Sequence, residues 1–192
     1  MNILYLDTSQ NILTAGVLKG GENFSRTVDA GTSGHTRILL GEIDAALAAA
    51  GLDITDIDAV AAVVGPGSFT GIRIGAATAA ALSRGTGAKK IAVTEFELIA
   101  YDRGKITAAV EAGRGNLYCA ECEDGRVKDT FFLPAEEREG ARGREFVFEP
   151  LPKRGEAFAA VASAKAARGE FVDVFEPFYM RKSQAERTKD EI

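Results

Sequence analysis

Residues 60–75 read VAAVVGPGSFTGIRIG, from Val60 to Gly75, and this stretch decides the fold. Five apolar residues run unbroken, Gly65-Pro66-Gly67 interrupts them, and helix spacing restarts at Ser68. The pattern is that of a buried strand feeding a helix through a tight loop. Glycine carries no Cβ and Pro66 fixes one dihedral, so the loop's backbone can approach something closely. Ser68 or Thr70 can cap the helix. The amides of its first turn suit an anion or a partner's carboxylate.

Outward from this stretch the same alternation repeats. Upstream, NILYLD is a central strand ending in Asp7-Thr8-Ser9, and ILTAGVLK turns at Gly20-Gly21 into the return strand NFSRTV. Residues 33–50 are expected to form a helix stopped by Gly51, and the helix from about Ser68 extends to Arg84. A strand over Lys90–Val93 and a helix from about Thr94 to Tyr101 complete one unit. A second unit opens near Lys105 in the same way, with a buried strand, a glycine turn in EAGRG, and a hairpin of NLYCAEC with VKDTFFL. Residues 134–144 are read as a loop or short helix, EFVFE as a short strand, 155–168 as an alanine-rich helix, and FVDVFEPFY as a last strand or extended segment. Repetition of this order implies two copies of one mixed α/β topology facing each other.

Composition narrows the function. The 192 residues suffice for one domain or two small ones sharing a cleft. The formal charge of −5, with its arginines diluted by acidic neighbours, disfavours direct nucleic-acid binding by this chain alone. No apolar run approaches a membrane span and the first residues already read as a strand, so a cytoplasmic protein without a targeting segment is expected. Cys119 and Cys122 stand three apart on a strand, facing opposite ways, which suits neither a redox pair nor a metal site.

The segments MNILYLDTS (1–9), His35-Thr36-Arg37, GPGSFTGIRIG (65–75), Thr94-Glu95, EAGRGNLY (111–118) and EPFYMR (176–181) occur in the order of one family. On them the chain resembles the bacterial tRNA threonylcarbamoyladenosine biosynthesis proteins TsaB, also called YeaZ. The resemblance implies a two-lobed, actin-like (ribonuclease-H-like) α/β fold with mixed sheets, as in sugar kinases and chaperone ATPases. The second lobe is short here. The expected division is 1–102 for the first lobe, completed by the tail 181–192, and 103–180 for the second.

The resemblance further implies a non-catalytic subunit that supports the TsaD-type transferase. That enzyme forms N6-threonylcarbamoyladenosine at position 37 of tRNAs reading codons that start with A. A TsaE-type ATPase joins the complex, tRNA is met only within it, and the isolated chain is expected as a homodimer with no cofactor and no metal of its own. The alternative is an independent actin-like ATPase or small-molecule kinase.

The site residues follow from both readings. Asp7 ends the first strand, where actin-like ATPases place a carboxylate for metal and phosphate; it is either a cap of its own turn or, with Thr8, Ser9, Glu111 and Arg114, part of a vestigial nucleotide cleft. His35 is the sole histidine and Leu39 stands one turn later, so a two-imidazole metal site is not available. Small residues on the second helix, Gly71, Gly75 and Thr78, with Leu82 beyond, suit close packing either on the chain's own sheet or on another chain. With His35, Leu39 and Arg73 they form the expected partner interface. Arg73 opposes the helix dipole and is expected to have a carboxylate partner, from Glu42, Glu95 or another chain. Tyr179 and Arg181, in the family's P-x-Y-x-R arrangement, are expected to dock the tail on the first lobe.

Overall fold

Ile3–Asp7 (β1) and Ala59–Gly65 (β4) are buried at every residue, as their unbroken apolar runs require. They lie side by side and parallel at the centre of a five-stranded sheet, with Leu4 opposite Val60 and Leu6 opposite Ala62. Ile12–Lys19 (β2) and Glu22–Asp29 (β3) continue from β1 as antiparallel neighbours, and Lys89–Thr94 (β5) adds parallel to β4. The order is β3-β2-β1-β4-β5. The computed structural model describes residues 1–30, 34–141, 143–150 and 153–180.

Strand alternation sorts the core into two faces. Leu4, Leu6, Val60, Ala62 and Val64 face a first cluster with Leu39, Ile43 and Leu47 of the helix His35–Ala50 (α1) and Ala76 and Ala79 of the helix Phe69–Thr86 (α2). Ile3, Tyr5, Ala61 and Val63 face a second cluster with Phe158, Ala159 and Ala162. Local signals set the ends. Gly51 closes α1 at φ 62°, the left-handed conformation. The helix Glu95–Ala100 (α3) starts with a capping box, where Glu97 N donates to Thr94 Oγ1 (3.2 Å) and Thr94 N to Glu97 Oε2 (2.7 Å).

The second sheet has the order β8-β7-β6-β9, from Ile106–Glu111 (β6), Leu117–Glu123 (β7), Arg126–Leu133 (β8) and the two-residue Phe146–Val147 (β9). Residues Phe96, Ile99 and Ala100 of α3 pack on it beside Ala108 and Val110. Cys122 points into this cluster and Cys119 into another on the opposite face.

One expectation needs correction. The expected second lobe, 103–180, includes the helix Arg154–Ala167 (α4), but this helix lies on the first sheet, against β1, β2, β3 and β5. Phe158 is the reason: its ring meets Tyr5 at 4.8 Å between centroids, and small alanines on either side let the helix lie close. The following segment also returns to the first sheet, with Val172 N donating to Lys90 O (3.0 Å) and Phe178 N to Val64 O (2.7 Å). That segment is extended but is not a strand. Residues 181–192, including Arg181, and the expected helix start at 33 lie outside the described residues.

Candidate functional site

The loop after β4 closes on the turn after β1. Ser68 N donates to the Ser9 carbonyl at 2.7 Å, and Thr8 Oγ1 donates to the Gly71 carbonyl at 2.6 Å. A Cβ on Gly67 or Gly71 would overlap the backbone carbonyls of Ser9 and Thr8, and one on Gly75 would lie 2.5 Å from Thr8 Oγ1. What the glycine-rich backbone approaches is therefore the chain's own Thr8-Ser9 segment. Ser68, not Thr70, is the cap, accepting from Gly71 N at 3.2 Å.

Beneath this contact lies a buried charge cluster. Asp7, Thr8, Ser9 and Glu95 are all within 1% of full burial. One Asp7 oxygen accepts from Ser9 N at 2.8 Å and caps the turn; the other accepts from Arg154 Nε at 2.5 Å. Arg154 is the first residue of α4. Its terminal nitrogens donate to both oxygens of Glu95, Nη1 to Oε1 at 2.8 Å and Nη2 to Oε2. Ser9 Oγ donates to the same Glu95 Oε2 at 3.3 Å. One guanidinium thus serves two carboxylates, from the end of β1 and the start of α3.

With every member ionised the cluster would carry one net negative charge away from water, which is costly. Burial raises the Glu95 pKa, Arg154 opposes the rise and Asp7 adds to it; the net is upward, to about 7. Burial works against the charge on Arg154, but Asp7 and Glu95 more than reverse this, so it stays protonated throughout. Tyr5 continues the cluster: its buried hydroxyl donates to Asn23 Oδ1 (2.5 Å) and lies 3.1 Å from the Gly155 carbonyl.

Several expected residues fall elsewhere. Glu111 is exposed at the end of β6, 4.0 Å from Arg138, and Arg114 is exposed at a turn with φ 53°. Among the described residues neither makes a hydrogen bond or ion pair with Asp7, Thr8 or Ser9. Of the expected interface residues, Leu39, Gly71 and Gly75 are buried against the chain's own core, and Thr78 and Leu82 are half-buried. His35, the first residue of α1, is also half-buried, and only Arg73 is exposed. The glycines turn inward because Thr8 fills the space beside them.

Arg73 meets neither of the two carboxylates that this chain was expected to offer it. Glu42 pairs with Arg26 (2.6 Å) and Glu95 with Arg154. Arg73 instead lies 3.9 Å above the Phe69 ring, and its Nε donates to Tyr179 Oη at 2.9 Å. The Phe69 and Tyr179 rings stack at 5.2 Å. Within this chain Arg73 is held by aromatic faces, and Tyr179 lies against the first lobe at this point.

A cleft of about 1190 Å³ lies between α3, β8 and α4, bordered by Phe96, Tyr101 and Phe178. Two of its charged pairs are engaged within the chain: Lys165 Nζ lies 2.6 Å from Glu97 Oε1, and Arg168 bonds Glu170. Among the described residues, no three His, Cys, Asp or Glu side chains converge as a metal site, and no helix is long and apolar enough to cross a membrane. Both oxygens of Asp7 are engaged, by Ser9 N and by Arg154, so this carboxylate does not fit a metal ion. Arg154 itself carries no local sequence signal. Only the need of Asp7 for a counter-charge hints at such a residue.

Residues 30–132 match the sequence model of the family described as TsaD, tRNA N6-adenosine threonylcarbamoyltransferase. The chain is 30% identical over 137 residues to the tRNA threonylcarbamoyladenosine biosynthesis protein TsaB of Haemophilus influenzae, covering 68% of this chain and 58% of that one. It is 31% identical over 127 residues to TsaB of Escherichia coli, covering 63% of this chain and 54% of that one. The chain thus spans somewhat over half the length of these curated relatives. The solved structure of YeaZ from Pseudomonas aeruginosa superposes with a TM-score of 0.78 at 23% identity, over 93% of this chain and 99% of that one. That likeness establishes the two-lobed, actin-like fold with its mixed sheets. The chain belongs to the family of TsaD, the tRNA N6-adenosine threonylcarbamoyltransferase, and within it is of the TsaB (YeaZ) type.

Proposed function

We propose that this chain is a non-catalytic subunit in the formation of N6-threonylcarbamoyladenosine at position 37 of tRNAs that read codons starting with A. The observation that carries the reading is the state of Asp7. In a working actin-like ATPase this carboxylate must be open to metal and phosphate. Here it is fully buried and held by Arg154 and its own turn. The glycine-rich loop is likewise occupied by Thr8 and Ser9. Neither part is available to a nucleotide, which argues against an independent ATPase or kinase.

The partners in this reading are a TsaD-type transferase and a TsaE-type ATPase, with tRNA met only in the complex and the chain located in the cytoplasm. The surface offered to TsaD is the exposed side of α1 and α2. Leu40, 60% exposed, and Phe69, 41% exposed, lie on those helices, and Arg73 and Tyr179 adjoin Phe69. Exposed apolar groups of this size favour a partner, and they favour a homodimer when the chain is alone.

Co-purification with the TsaD homologue of the same organism tests the reading. The expected result is a stable complex that makes the modified nucleoside from tRNA, while this chain alone neither hydrolyses ATP nor modifies tRNA. ATP turnover by the isolated chain that disappears on Asp7→Ala, with the fold intact by circular dichroism, would overturn it.

A further inference from the structure

The guanidinium of Arg154 is placed where an ion would be. Three oxygen atoms accept from it, Asp7 Oδ2 and both oxygens of Glu95, and Ser9 Oγ bonds Glu95 Oε2 in turn. They come from the end of β1, the turn after it and the start of α3. The cation arrives from a distant element, 147 residues from Asp7 and 59 from Glu95. Its side chain keeps 10% exposure, while Asp7 has none.

The carboxylates do not need this arginine to hold their own backbone. The Asp7 turn is capped by Ser9 N, and α3 by Thr94 with Glu97. Nor does α4 depend on it alone, since Tyr5, Asn23 and Phe158 also seat that helix. Arg154 has a separate effect, which is to supply the counter-charge to a pocket of hard oxygen donors. We propose that Arg154 is the pocket's built-in cation, and that this guanidinium, rather than any loss of carboxylates, closes the pocket to external cations. The inference goes beyond the subunit reading and stands on the cluster alone. It is tested on the isolated chain, so its failure would leave that reading untouched.

The consequences are chemical. A pocket with Arg154 removed holds two carboxylates and space for a planar cation that can bond both. Methylguanidinium reproduces the lost group and restores the two-sided bonding. Mn²⁺, a hard cation suited to carboxylate oxygens, is a second probe, with weak affinity because only two carboxylates are present.

The experiment compares Arg154→Ala with the wild type by thermal unfolding, in 20 mM methylguanidinium chloride and in sodium chloride of equal ionic strength. The expected result is a lower Tm for Arg154→Ala, with at least half of the loss restored by methylguanidinium and none by sodium chloride. The triple variant Asp7→Asn, Glu95→Gln, Arg154→Ala should show no such recovery. Mn²⁺ uptake, read from the electron paramagnetic resonance signal of the free ion, should be at least tenfold tighter for Arg154→Ala than for the wild type. If Arg154→Ala is unfolded in buffer, the same titration is read as recovery of helical circular dichroism. Equal effects of methylguanidinium and sodium chloride, recovery of the triple variant, or equal Mn²⁺ uptake by wild type and Arg154→Ala would each overturn the proposal.

Discussion

Replacing Gly71 by alanine tests whether the glycine-rich segment packs inward. A Cβ there would overlap the Thr8 carbonyl oxygen and lie 3.0 Å from the Thr8 carbonyl carbon, and backbone flanks both sides of the clash. Relief needs α2 to shift away from the end of β1, which places the cost near the top of the overpacking range, about 3 kcal/mol. Alanine regains about 1 kcal/mol of helix propensity over glycine, leaving a net loss of about 2 kcal/mol. Two other helical glycines calibrate the result. Gly75→Ala meets only the Thr8 hydroxyl, which can turn away and give up its bond to the Gly71 carbonyl. That loss, about 1 kcal/mol, nearly cancels the propensity gain. Gly41→Ala in α1 meets nothing within 4 Å and should stabilise by about 0.5–1 kcal/mol. Urea unfolding followed by fluorescence and circular dichroism gives the three midpoints at constant slope. The expected order of stability is Gly41→Ala, then Gly75→Ala, then Gly71→Ala, with a spread of about 3 kcal/mol. A Gly71→Ala protein as stable as Gly41→Ala would refute the reasoning.

Other expectations concern the charge cluster, Tyr179 and the thiols. The Glu95 pKa, raised on folding from 4.5 to about 7, means that the folded state keeps a proton that the unfolded state releases between those values. Its contribution to stability is therefore full below about pH 4.5 and falls, by about 3 kcal/mol, as pH rises through 7; Glu95→Gln should flatten the stability profile in that window, and an unchanged slope would contradict the assignment. Tyr179→Ala removes a ring stack and a hydrogen bond to Arg73 at the surface, so it should cost about 1 kcal/mol in thermal unfolding, and no loss at all would mean that the segment is not seated there. Cys119 and Cys122 are buried, and desolvation pushes both pKa values up to about 11; a disulfide reagent at pH 8 should label them only on unfolding, and fast labelling of the native protein would count against that burial.

Much of the fold was legible because it rests on local signals. Unbroken apolar runs gave β1 and β4, glycines at positive φ gave the ends of α1 and the hairpins, and Thr94 with Glu97 gave the start of α3. The destination of α4 was not legible. An alanine-rich helix has small residues on most faces, so its spacing does not say which sheet will take it. Phe158 decided the matter through a contact with Tyr5 more than 150 residues earlier in the chain.

The site was read in halves. DTS and GPGSFTG both stood out, but nothing in either segment says that each is the other's partner. Gly71 and Gly75 admit a contact on their face without naming its owner, and the owner proved to be Thr8. For Arg73 the sequence shows charge and not geometry, and so points to a carboxylate. Phe69, one turn earlier on the same helix, and Tyr179 supply the aromatic faces instead. Arg154 was the hardest to foresee, since its role exists only once the chain has come back to the first sheet.

That return has a consequence for synthesis. All five strands of the first sheet have been made by residue 94, yet the helix that covers their second face begins only at Arg154. At ribosomal rates of about 5–20 residues per second, roughly 60 residues correspond to several seconds. During this interval Asp7 and Glu95 have no guanidinium, and Tyr5 and Val63 have no Phe158 above them. A nascent chain in that state exposes an apolar sheet face with two carboxylates at its edge, a surface that chaperones and aggregation partners can meet. The first lobe therefore matures last, after the whole second sheet has left the ribosome.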